Sequence, residues 1–281
     1  CDRCAAHFRR STGWHTASRS AASGDAGCKP SMNLLSDNDM DLRTLFDGFG
    51  VKVPQREVAD ITTESLSVTR GGLFLACRGS RHHGLEFVDQ VLAVQPSAIA
   101  WEPDPGVREP VLAPGVCGFA VPDLGDRLGE IANRFFAAPS AALAVIGITG
   151  TNGKTTTAWL VTQALGKLGE PAGYMGTLGH GLGTAVRPGA STTPGCITLH
   201  RQLRELADAG ARHAVIEVSS HALDQHRVDG VRFSTVAFSN LGRDHLDYHH
   251  DLQQYGEAKA RLFRTGARTA VINLDDSFGG M

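Results

Sequence analysis

Apolar residues along this chain come in short blocks separated by polar, glycine-rich and proline-containing breaks, the rhythm of alternating strands and helices. Residues 72–77 and 98–101 read as strands and residues 87–94 as a helix. Over residues 124–136, Leu124, Leu128, Ile131 and Phe135 recur on one face, as in an amphipathic helix. Ala138-Pro139-Ser140 then interrupts the pattern and marks a boundary near residue 140. Residues 143–148 are apolar without alternation, as expected of a parallel strand buried on both faces. Further strands are expected at 214–218, 235–238 and 269–272, with helical patterns between them supplying the crossovers. The expected class is α/β: a small N-terminal α/β domain over 41–140, then a central domain with a mostly parallel sheet over 141–281. Because the last strand candidate lies close to Met281, that sheet is expected to be incomplete.

Residues 1–40 break this rhythm. The stretch to about Ser31 is rich in Arg, Ser, Ala and Gly, lacks periodicity and does not start with methionine. It could be a transit peptide, but the reading favoured is translated upstream sequence, with the start at Met32 or Met40. The 42% hydrophobic and 20% charged content suits two ordinary globular domains. A net charge of −2 provides no basic field for a nucleic-acid partner. No apolar run approaches the roughly 20 residues that span a bilayer, so no membrane partner is expected and a cytoplasmic location is. The six cysteines are scattered, which argues against a disulfide framework, and the lone Cys1/Cys4 pair is weak evidence for zinc.

The sharpest chemical signal is Gly150-Thr151-Asn152-Gly153-Lys154-Thr155-Thr156, placed between the buried strand and a helix through Trp159, Leu160 and Leu165. Glycines there let backbone N–H groups converge on phosphate oxygens, the helix N-terminus favours negative charge, and the lysine supplies a point charge. The Thr155 hydroxyl could hold Mg2+. Ile148 stands where the strict phosphate-loop pattern has its first glycine, and the bland alternative is a glycine-rich turn with a solvated lysine. Glu217 falls near the carboxyl end of an expected central strand, the edge where open α/β sheets bind ligands. It could reach a metal there, or be an exposed acid on an edge strand. The segment 240–249 follows another strand and is dense in ligand-type side chains. His245 could ligate Mg2+ or be a capping or core histidine, and Asp244 and Asp247 could be helix caps. By pattern alone, Lys259 reads as a surface lysine.

Together, Gly150 to Thr156, Glu217-Val218-Ser219-Ser220-His221 with Gln225-His226-Arg227, Asn240 to His249, and Glu257-Ala258-Lys259 resemble the motifs of the Mur ligases in order and spacing. The resemblance spans about Leu42 to Asp276. It implies that Gly150, Thr151, Asn152, Gly153, Lys154, Thr155 and Thr156 bind ATP. It further implies that Thr155 and Glu217 hold one Mg2+, and that Glu217, His245 and a carbamylated Lys259 organise a second. It assigns Ser65, Ser80, Arg81, His82, Ser191, Thr192, Thr193, Ser219, Gln225 and Arg227 to the UDP-MurNAc-L-Ala-D-Glu substrate, which makes the first domain a UDP-substrate domain. Glu64-Ser65-Leu66 stands where the family commonly has Asp-Ser-Arg. The family's C-terminal ligase domain, with its Asp-Asn-Pro-Arg motif, is expected to be absent.

The activity implied is an ATP-dependent acid–amino-acid ligation in peptidoglycan synthesis, adding meso-diaminopimelate through an acyl phosphate. The protein is expected to be a monomer, and the chain by itself inactive. Alternatives are an L-lysine-adding or folylpolyglutamate-type ligase, a small-molecule kinase, or a non-catalytic nucleotide-binding module.

Overall fold

The computed structural model describes residues 39–79 and 81–280. The leader assigned to residues 1–40, with its Cys1/Cys4 pair and Met32, lies outside them except for Asp39 and Met40. Strand β1 (Met40–Asp41) already pairs antiparallel with β2 (Glu57–Val58), Met40 opposite Val58. Asp41 then caps the short helix α1 (Leu42–Leu45), its carboxylate accepting the Arg43 N–H at 2.8 Å.

A four-stranded parallel sheet follows, in the order β3 (Ile61–Thr62), β4 (Leu73–Ala76), β5 (Ala98–Trp101), β6 (Cys117–Ala120). Every residue of β4 and β5 is buried, which explains why their sequences are continuous rather than alternating. Helix α2 (Val88–Ala93) is preceded by a 3-10 turn closed by a capping box. His83 Nδ1 accepts from Leu85 N–H and the Glu86 carboxylate accepts from His83 N–H. The helix expected over 124–136 is a 3-10 turn running into α3 (Leu128–Phe135), and all four residues of its expected face lie in or against one core.

Ala137 and Ala138 turn the chain with positive φ, and Pro139 opens helix α4 (Pro139–Ala142) instead of a bare break. Strand β7 (Ala144–Thr149) then enters a seven-stranded sheet. Its other members are β8 (Ala172–Gly176), β9 (Gly179–Leu182), β10 (Ala185–Arg187), β11 (His213–Glu217), β12 (Phe233–Phe238) and β13 (Thr269–Ile272). The order is β10-β9-β8-β11-β7-β12-β13, with the last five parallel and the β8-β9-β10 meander antiparallel. The mostly parallel sheet is therefore as expected, while the meander is an addition that the sequence pattern did not reveal.

Five helices complete this unit: α5 (Lys154–Lys167), α6 (Cys196–Asp208), α7 (Ser220–Asp224), α8 (Leu246–His249) and α9 (Leu252–Ala260). The connection β7-α5-β8 skips over β11, so β7 and β11 lie side by side at the centre with their carboxyl ends adjacent. Helix α6 binds the two sheets together. Arg201 on it pairs with Asp60 at 2.8 Å, donates to the Ile61 carbonyl at 2.8 Å and lies over the Phe136 ring. Cys196 and Ile197, at its start, pack in the core of the N-terminal sheet. Among the described residues no helix is long and apolar enough to cross a membrane.

Candidate active site

The carboxyl edge of β7 runs directly into the glycine-rich loop. Gly150 has φ +145°, a region L side chains rarely adopt, and a Cβ there would collide with the Ser239 side chain. The close approach locks the loop to the segment after β12. Thr151 N–H donates to the Asn240 carbonyl at 2.8 Å, Asn152 N–H to Asn240 Oδ1 at 3.0 Å, and Gly242 N–H to Thr151 Oγ1 at 2.8 Å. Lys154 opens α5, and its ammonium folds back to donate to the carbonyls of Gly150 at 2.8 Å and Thr151 at 3.0 Å. Burial holds its pKa below the ordinary lysine value, against the attraction of Glu217 and Asp244.

Glu217 ends the central strand β11 and is fully buried, which excludes the exposed edge-strand alternative. Its Oε2 accepts from the Thr155 hydroxyl at 2.7 Å and the Thr177 hydroxyl at 3.3 Å. Its Oε1 accepts from the Tyr174 hydroxyl and from Thr177 N–H at 2.9 Å. A buried carboxylate satisfied by four donors is the arrangement that offsets its desolvation cost.

Lys259 corrects the sequence pattern. Only 1% of it is exposed, because α9 turns this position inward, and its ammonium reaches the same Gly150 carbonyl at 2.9 Å. The Tyr255 ring lies beneath it, 4.2 Å from nitrogen to centroid. Burial, with the neighbouring Lys154 charge, pushes its pKa down to about 7, and Asp244 opposes this.

His245 sits in an exposed loop with φ +51° and packs edge-on against His221, ring centres 4.8 Å apart, in an aromatic group with Tyr248, His249 and Tyr255. Burial lowers the pKa of His221, and the proximity of His245 adds to this. Asp244 accepts the His245 N–H at 2.9 Å. Among the described residues no three His, Cys, Asp or Glu side chains form a metal cluster. The expected Mg2+ set needs none, because it is built from a threonine hydroxyl, one carboxylate and, at the second position, a histidine and a modified lysine. The oxygens of Thr155 and Glu217 at 2.7 Å suit a hard cation that keeps waters and takes further oxygens from phosphate.

The residues expected at the UDP substrate divide over two neighbouring clefts. Ser65, His82, Gln225 and Arg227 line one of ≈ 630 Å3, together with the exposed Leu66. Ser191 lines the other, with His180 and Arg201. Thr193 is buried and ties the pair together, accepting from Arg227 on its carbonyl at 2.9 Å and donating to the Glu217 carbonyl at 2.7 Å. Ser219 is the N-cap of α7, and Gln225 bonds both Arg227 and Tyr248. Thr192 meets Thr177 at 3.0 Å, and Arg81 is exposed. Ser80 lies outside the described residues. Sequence reasoning missed Tyr174 and Thr177, because the short, glycine-flanked β8 carries too weak a strand signal to place them beside Glu217.

A parallel sheet delivering a glycine-rich loop, a lysine and a hydroxyl–carboxylate pair to one edge defines an α/β unit of the phosphate-loop class. Residues 148–280 match the family model of the Mur ligase middle domain. This chain belongs to the Mur ligase family. It is 51% identical over 224 residues to the UDP-N-acetylmuramoyl-L-alanyl-D-glutamate–2,6-diaminopimelate ligase of Xanthomonas campestris pv. campestris, covering 79% of this chain and 45% of that one. It is 48% identical over 231 residues to the ligase of the same name from Alkalilimnicola ehrlichii, covering 80% and 46%. A solved structure of a ligase of that name superposes with TM-score 0.71 at 30% identity, over 86% of this chain and 48% of its own. The chain thus spans about half the length of the curated relatives it matches.

Proposed function

We propose that this chain supplies the UDP-substrate and ATP sites of a ligase that joins meso-diaminopimelate to UDP-MurNAc-L-Ala-D-Glu. The observation that carries the reading is the convergence of Lys154, Lys259 and the Thr155–Glu217 pair on the loop at Gly150. The relatives' names supply the substrate class.

Bound Mg-ATP would supply the γ-phosphoryl group that turns the D-glutamyl carboxylate into an acyl phosphate with release of ADP, and attack by an amine would then form the amide and expel phosphate and a proton. Backbone N–H groups of residues 150–156 and the N-terminus of α5 would cradle the triphosphate. Lys154 would leave the carbonyls of Gly150 and Thr151 for phosphate oxygens, offsetting the repulsion between triphosphate and carboxylate. Thr155 and Glu217 would hold one cation, with Glu217, His245 and Lys259 near a second. The depressed pKa of Lys259 supports its carbamylation, since only a neutral amine adds CO2 and the product is an oxygen ligand suited to Mg2+. In the substrate clefts, Arg227, held by Gln225 and Thr193, would meet the substrate's negative groups. Ser65, Ser80, Arg81, His82, Ser191, Thr192 and Ser219 would complete that site. A monomer acting in the cytoplasm agrees with this reading.

The test is calorimetric titration of the folded chain with UDP-MurNAc-L-Ala-D-Glu and, separately, with Mg-ATP. Saturable binding of each is expected. A folded sample that binds neither refutes the assignment.

A further inference from the structure

The four donors on Glu217 divide unevenly in kind. Oε1 is held by the Tyr174 hydroxyl and a backbone amide, both from the fixed β8 segment, whereas Oε2 faces the hydroxyls of Thr155 and Thr177. Strand register explains the arrangement. Tyr174 pairs with Val215 and Met175 with Ile216, so Tyr174 and Gly176 share a sheet face with Glu217. The carboxylate lies over Gly176, where an added Cβ would come within 2.6 Å of Glu217 Cδ, and the phenol reaches it from one pleat earlier. Tyr174 is itself immobilised. It is fully buried, its ring packs edge-on against Trp159 at 5.4 Å, and its oxygen accepts Leu178 N–H at 3.3 Å.

We propose that Tyr174 is a positioning residue that commits Oε1 of Glu217 and thereby leaves Oε2, beside the Thr155 hydroxyl, for the cation that this pair would hold. A carboxylate free to turn about its last bond offers either oxygen or both, and a cation of strict octahedral preference binds it less well. Pinning one oxygen removes that freedom before the cation arrives, the part outer-shell partners play at metal sites. The inference rests on the ATP and Mg2+ reading of this site.

The test measures ATP affinity of the chain across a Mg2+ series and again in excess EDTA, for wild type and Tyr174→Phe, which keeps the ring packing. The half-saturating Mg2+ concentration is expected to rise about tenfold in the variant, with affinity in EDTA unchanged. A parallel loss in both conditions, or no change in either, overturns the proposal. Should Tyr174→Phe not fold, 3-fluorotyrosine can replace the three tyrosines, Tyr174, Tyr248 and Tyr255, in the otherwise unaltered chain. Its 19F resonances are assigned by elimination with Tyr248→Phe and Tyr255→Phe. The Tyr174 signal is expected to shift with ATP plus Mg2+ and to stay put with ATP plus EDTA. An unmoved signal sinks the idea. Wild-type protein that binds no Mg-ATP overturns both this inference and the reading beneath it, whereas tight wild-type binding with an indifferent Tyr174→Phe removes the inference alone.

Discussion

Lys154 and Lys259, 105 positions apart in sequence, donate to one acceptor, the carbonyl of Gly150, at 2.8 and 2.9 Å. Burial, and after it the repulsion between two ammonium groups on one oxygen, makes Lys259 give up its proton more readily.

A pH dependence of stability follows from Lys259. Its pKa in the fold is about 7, against roughly 10.4 in the unfolded chain. Between these values the unfolded state holds a proton that the folded state has lost, so this residue makes stability rise with pH from about 7 to about 10. Below about 7 both states are protonated and its contribution stays at its lowest. Melting temperatures at pH 7 and pH 9 should therefore differ more in wild type than in Lys259→Met. Equal differences would show that Lys259 is an ordinary lysine. With 13C-bicarbonate, the carbamate proposed here should give a 13C resonance in wild type that Lys259→Met lacks.

Replacing Lys154 with alanine deletes the charge expected at the terminal phosphates and two hydrogen bonds within the loop. ATP affinity is expected to fall about 10- to 100-fold, the worth of one charge-assisted interaction. Binding of UDP-MurNAc-L-Ala-D-Glu should be unaffected. In a protein carrying the rest of the ligase, acyl-phosphate formation should be lost, and retained turnover would refute the phosphate-loop role.

Gly150→Ala places a side chain where φ is +145° and where Asn240 backbone atoms lie 3.1 Å away, besides the clash with Ser239. The expected cost is about 2–3 kcal/mol by urea unfolding, with loss of ATP binding even under conditions where the variant remains folded. A variant with wild-type affinity would mean that the loop tolerates displacement from the 239–242 segment.

Arg201→Ala removes the ion pair to Asp60 and the bond to the Ile61 carbonyl that join α6 to the N-terminal sheet. A loss of about 2 kcal/mol is expected, together with weaker binding of the UDP substrate, because the clefts lie between these elements. A change below about 0.5 kcal/mol would place the link among ordinary surface pairs.

Several elements were legible one segment at a time. The runs at 98–101 and 269–272 are strands at those bounds, the first buried and the second exposed, and the amphipathic stretch from Leu124 becomes α3 with its expected face inward. Strand β8 was not, since Ala-Gly-Tyr-Met-Gly has neither alternation nor a long apolar run, and its pairing with β11 on one side and β9 on the other makes it a strand. The same pairing hid Tyr174 and Thr177 from a reading of motifs.

What the sequence alone determined was the succession of β4, β5, β7, β11, β12 and β13 with helices between them, the glycine-rich loop after a buried strand, and a carboxylate and ligand-type side chains near the ends of later strands, because periodicity and turn chemistry act over a few neighbouring residues. What only the tertiary structure decided was the environment of those residues. Glu217 became a buried, four-donor carboxylate, and Lys259 changed from an expected surface lysine into a buried amine over Tyr255. Burial and hydrogen-bond geometry arise from segments up to 109 positions apart meeting at one sheet edge, and desolvation and charge repulsion depend on that meeting rather than on any local pattern.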